Sequence, residues 1–140
     1  MNPETPLRPS GHQATKSLRL ALWISQIVLA LTFAMAGWLK TTYAPTDLVM
    51  YVSWSADVPL LLVRLIGVAE LLGAAGLVLP GLTRVKPGLT WVAAALLAVV
   101  MVLAAGFHLA RGETGATYMP LILAVLTGFV AWGRRVRAPL

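Results

Sequence analysis

The stretch Val58–Pro80, VPLLLVRLIGVAELLGAAGLVLP, decides how the rest of the chain is read. At about 1.5 Å per residue, a helix of this length covers a hydrocarbon core of about 30 Å. Yet Glu70 stands near its middle, with Arg64 before it. An acid or base at mid-span costs about 2.5–3.5 kcal/mol on insertion scales, so such a residue faces protein or a polar cavity rather than lipid. The stretch reads as a membrane span with a polar face. Small residues recur around the acid (Gly67, Gly73 and Gly76, with Ala69, Ala74 and Ala75), and they let neighbouring helices approach closely.

Three more apolar runs flank it: Leu18–Leu39, Leu89–Ala110 and Ala116–Gly133. Lipid offers no partner to a free backbone, so each run must be a helix. The expected fold class is an all-α membrane protein, a four-transmembrane-helix bundle. Composition agrees: 59% of the 140 residues are hydrophobic, against about 45–50% in ordinary soluble domains. The domain plan is a flexible polar tail over residues 1–17, the transmembrane domain over 18–133, and a basic C-terminal tail over 134–140.

The net charge of +6 is unevenly placed. Arg8, Lys16 and Arg19 precede the first run, Arg84 and Lys86 separate the second from the third, and Arg134, Arg135 and Arg137 follow the fourth. With four spans these segments share one side, and the positive-inside rule puts both termini in the cytoplasm. The basic balance then reports topology and contact with anionic lipid rather than nucleic acid. Trp23, Trp91 and Trp132 near the inner interface, and Trp38, Tyr43, Trp54 and Tyr118 near the outer one, form the expected aromatic belts. With no cysteine, the chain has no thiol chemistry and no thiolate metal site of its own.

The longest connection, Thr41–Asp57, is too polar to span and too apolar for a bare loop. It predicts a short interfacial helix between the first two spans. Pro80 and Pro87 read as breakers around a tight basic turn.

The candidate ligand-binding residues are the ionisable groups of the outer half: Lys40, Arg64, Glu70 and His108. Gln26 and Thr32 are secondary polar positions at Glu70's own depth, able to accept its hydrogen bond if it is protonated. A direct Arg64–Glu70 bridge along one helix is disfavoured, because six residues place the two about 120° apart around the axis. Glu70 is then ionised if Lys40 or Arg64 reaches it across helices, and neutral otherwise. A register-fixing role for these groups is the structural alternative. No metal site is expected, since His108 has no second ligand near it.

The order of motifs resembles the DoxX and DoxX-like membrane families: AGWLK closing the first span, Arg64, Gly67 and Glu70 in a Leu-rich second span ending in proline, and GFHLARGE closing the third. The resemblance implies a four-helix bundle. It also implies a link to quinone-dependent oxidoreductases or to thiol and oxidative stress, and a bacterial plasma membrane. With no self-sufficient catalytic set, the chain is expected to be an accessory subunit with no intrinsic cofactor, holding a quinone in its polar pocket and meeting a redox-enzyme partner or a second copy of itself in the bilayer. The alternatives are a non-enzymatic scaffold and, third, a small transporter or proton path.

Overall fold

The computed structural model describes residues 11–140, with side chains described from Thr15 onward. Helix α1 spans Gly11–Thr42, the short α2 Pro45–Tyr51, α3 Leu60–Thr83, α4 Leu89–Ala110 and α5 Thr114–Trp132. A 3₁₀ turn at Ser53–Ala56 follows α2, and a π turn at Gly133–Arg137 continues α5. Among the described residues four helices are long and apolar enough to cross a membrane. α2 and the 3₁₀ turn supply the short helical element expected between the first two spans.

Three of the long helices, α1, α3 and α4, turn a narrow stripe inward. On α1 it runs Leu22, Gln26, Leu29, Phe33, Gly37 and Lys40; on α3, Val63, Gly67, Glu70, Ala74 and Leu77; on α4, Thr90, Ala94, Leu97, Met101 and Ala105. The alternation of three and four is the seam of a packed bundle. α1 packs mainly on α3 and α4 on α5, while α3–α4 and α1–α5 contacts close the ring. Only 17–33% of the most apolar stretch of each span is buried, so side chains such as Leu31, Leu72, Leu103 and Val125 point outward. Apolar surface on that scale is stable against lipid, not water.

Small residues set the helix spacing. A Cβ on Gly37 would lie 2.6 Å from the Gly67 carbonyl oxygen, and one on Gly67 would lie 2.8 Å from the Lys40 Cβ. Farther along α3, Gly73 admits Leu97 and Gly76 admits Ala93 of α4.

Three boundaries differ from the sequence reading. α1 begins at Gly11, so residues 11–17 are helical rather than tail; the first ten residues of the proposed tail lie outside the described residues. α3 runs through Pro80 to Thr83. Proline lacks an N–H, so the Gly76 carbonyl one turn back loses its helical donor, a loss that membrane helices tolerate. The next carbonyl, that of Leu77, accepts from the Gln26 side-chain amide. Residues 134–140 do not simply trail away: Arg134 and Ala138 are buried against the bundle.

One end of the bundle, the mouth, is formed by the close of α1, α2 and the α4–α5 turn. The base is the end formed by the start of α1, the α3–α4 turn and the C-terminal segment.

Candidate functional site

The Gly37–Gly67 contact brings α1 and α3 together one turn from the mouth, and Lys40 and Glu70 follow one turn on from each glycine. Lys40 Nζ donates to both carboxylate oxygens of Glu70, at 2.6 and 2.7 Å. Lys40 is 8% exposed and Glu70 2%, so the pair is screened little by solvent. Of the partners left open by the sequence, Lys40 is the one that reaches Glu70. Glu70 therefore does not hydrogen-bond Gln26 or Thr32: Gln26 turns toward the base, and the Thr32 hydroxyl donates to the Val28 carbonyl one turn back on its own helix.

Arg64 takes another task. Its two terminal nitrogens donate to the carbonyls of Lys40 and Tyr43, at the end of α1. Carbonyls in a helix's last turn have no partner of their own and carry its negative dipole end, so a guanidinium satisfies both demands. Arg64 does not line the cavity described next. It holds the backbone from which Lys40 reaches inward.

Lys40, Glu70 and His108 line one cavity of about 520 Å³. The rest of the wall is almost wholly apolar, including Phe33, Ile66, Met101 and Phe107, with Trp54 from the 3₁₀ turn at the mouth. Volume and lining fall within the range of small-molecule sites, which are mostly apolar with a few convergent polar groups. Thr32 also borders it.

A clasp closes the mouth beside the cavity. His108 Nδ1 lies 2.7 Å from Glu113 Oε2, Arg111 Nε donates to the other Glu113 oxygen at 2.7 Å, and Arg111 Nη2 donates to Asp57 at 2.7 Å. Trp54 meets Phe107 edge-on at 5.9 Å, and the Arg111 guanidinium lies 5.3 Å from the same ring. The hydrogen bond from His108, with Arg111 next, holds the Glu113 carboxyl below its ordinary value. Hydrogen bonds to Glu113 and then to Asp57 push the Arg111 guanidinium further toward its charged form. An ionised carboxylate only accepts, so the His108 Nδ1 carries the hydrogen of this bond. The connection read as an interfacial helix is thus tied to the end of α4 through Trp54 and to the turn after it through Asp57.

Sequence reading missed a second polar centre at the base. Gln26 accepts from Arg134 Nε while donating to the Leu77 carbonyl, so one amide joins α1, α3 and the C-terminal turn. Arg134 Nη1 donates to the Ala138 carbonyl at 3.2 Å, and its guanidinium lies 5.2 Å from the Trp23 ring centroid. Only the presence of a glutamine on the inward stripe of α1 hinted at this.

Residues 24–130 match the DoxX-like family. The chain belongs to the DoxX-like family. No curated protein and no solved structure matches it. The matched segment of this DoxX-like protein contains Lys40, Arg64, Glu70 and His108, and it ends before Arg134. The mouth-side cavity is therefore built inside the family's segment, and the base cluster partly outside it.

Proposed function

We propose that this DoxX-like membrane protein is an accessory subunit of a quinone-linked or redox-stress complex, and that the cavity beside Lys40 and Glu70 holds a quinone-like ligand. One observation carries the reading: an apolar chamber of about 520 Å³ whose polar groups, Lys40, Glu70 and His108, include both a cationic donor and an imidazole. The donor set fits a neutral dicarbonyl ring. Lys40 has a third N–H beyond the two given to Glu70, and it can donate to a carbonyl oxygen. Because the Lys40 charge is balanced by Glu70, the site favours a neutral ligand over an anion. His108 Nε2 can exchange a proton with the ligand, its ring held by Glu113. The apolar wall would exclude water and take up a lipophilic tail. A bound quinone supplies two-electron, two-proton chemistry, and the partner supplies or receives the electrons.

We assign the base, with Lys16, Arg19, Arg84, Lys86, Arg134, Arg135 and Arg137, to the cytoplasmic side on the positive-inside rule, and the family resemblance favours a bacterial plasma membrane. The mouth then opens outward.

The test is gentle extraction into lipid nanodiscs, with mass spectrometry of copurifying small molecules and proteins. Wild type should retain a quinone, and the charge-free pair Lys40→Met/Glu70→Leu, which leaves no stranded ion, should lose it while staying folded. A wild-type protein without quinone, bringing down the same partners as the double variant, transfers the reading to a scaffold.

A further inference from the structure

The base carries a second chamber, of about 440 Å³, lined by Arg19, Trp23, Gly81, Arg84, Pro87, Arg134, Pro139 and Leu140. We infer that this chamber is a binding site for a phosphate group, formed by Arg19, Arg84 and Arg134 and seated at headgroup depth. The inference does not depend on a quinone at the mouth.

Three facts converge on it. First, Arg134 is 4% exposed, and its Nη2 has no hydrogen-bond partner. Nε and Nη1 are committed to Gln26 and Ala138, both neutral. A buried guanidinium ordinarily finds an anion, because an unpaired charge in a medium of low dielectric is costly. Second, no carboxylate side chain stands at this end among the described residues: Asp47, Asp57, Glu70 and Glu113 all belong to α2, the mouth turns or the mouth-ward half of α3. Arg19 and Arg84 add two more guanidinium groups to the same wall, and neither has an ion pair among the described residues. Three like charges around one chamber repel each other unless an anion lies between them. Third, three arginine–tryptophan stacks surround the base: Arg134 on Trp23, Arg135 on Trp91 at 4.7 Å, and Arg137 on Trp132 at 5.5 Å. Tryptophan at the end of a span marks the level of lipid headgroups, where phosphate is abundant.

Phosphate suits this wall better than carboxylate does. Its oxygens can accept from several guanidinium forks at once, and arginine matches that geometry. Basic pockets between transmembrane helices on the cytoplasmic side are a recurrent lipid-headgroup site. The tryptophan face and Leu140 give an apolar rim against which a glycerol backbone could rest. Either an anionic phospholipid or a soluble phosphate compound could supply the group.

Arg19 and Arg84 are exposed and can be replaced without disturbing the buried Gln26–Arg134 bond. Arg19→Gln/Arg84→Gln removes two walls of the chamber. Lys16→Gln/Lys86→Gln removes the same charge at the same end without touching it. Each protein is placed in nanodiscs of phosphatidylcholine alone, phosphatidylcholine with phosphatidylglycerol, or phosphatidylcholine with millimolar inorganic phosphate. Thermal stability and lipid retention by native mass spectrometry are measured. The expected result is stabilisation of wild type by phosphatidylglycerol, with retained lipid. Apparent affinity should be roughly tenfold weaker in the arginine pair and unchanged in the lysine pair. Stabilisation by inorganic phosphate in phosphatidylcholine discs, lost in the arginine pair, also supports the site and names a soluble source. No response in wild type, or equal losses in both pairs, overturns it, since the base would then attract anions only through its overall charge.

Discussion

At the mouth the buried cation Lys40 meets a carboxylate of its own chain, whereas at the base the buried cation Arg134 meets only the amide of Gln26 and the carbonyl of Ala138. Both centres use the inward stripe of α1, at Gln26 and Lys40, about 20 Å apart along the helix. The paired charge at the mouth leaves its cavity electrically balanced and suited to a neutral lipophilic molecule. The unpaired charge at the base leaves a demand for an anion. Two chambers in one small bundle are thus distinguished by the presence or absence of one acid.

The largest effect should come from breaking the mouth's balance. Glu70→Leu strands Lys40 in the bundle and should cost about 3–5 kcal/mol. Lys40→Met/Glu70→Leu should recover most of that loss, as read by a double-mutant cycle of unfolding in bicelles. If both single changes are nearly neutral, the pair is not a buried ion pair and the comparison fails.

Next is the contact that sets the pair. Gly37→Ala puts a methyl 2.6 Å from the Gly67 carbonyl oxygen, so α1 and α3 must separate. A cost of about 1–3 kcal/mol is expected, with loss of the quinone retention that the proposed function calls for. A similar loss, about 1–3 kcal/mol, should follow Gln26→Leu at the base, where the buried Arg134 Nε would be left without its partner. Anionic lipid should offset part of the Gln26→Leu loss and none of the Gly37→Ala loss, which separates the two centres directly.

The smallest effect is the response to acid. Glu113 has its folded value below the ordinary 4.5, so its contribution to the clasp is complete above about that pH and is lost as pH falls through the lower folded value. Trp54 emission should change over this acid window, and Glu113→Gln should abolish the change.

The inward position of Glu70 was legible because a carboxyl in an apolar run has few other places to go, and the small residues around it marked the packed face. The interfacial helix was legible from the mixed character of Thr41–Asp57. Two cations, Lys40 and Arg64, were left open as partners of Glu70, and only the folded bundle separates them: Lys40 reaches the acid, while Arg64, the closer in sequence, binds carbonyls at the end of α1. The three C-terminal arginines read alike as topology anchors. Only the π turn at Gly133–Arg137 separates them, burying Arg134 while Arg135 and Arg137 stay exposed.

Sequence alone determined the four spans and the cost of every charge within them, because hydropathy and helix length act locally against the bilayer. It also determined the imbalance of charge between the two ends. Tertiary structure alone decided which cation answers which anion. That choice depends on how closely α1 approaches α3 at Gly37 and Gly67, and on whether the turn after α5 brings Arg134 to the Gln26 amide. Both are distances between segments far apart in the chain, which no local pattern encodes.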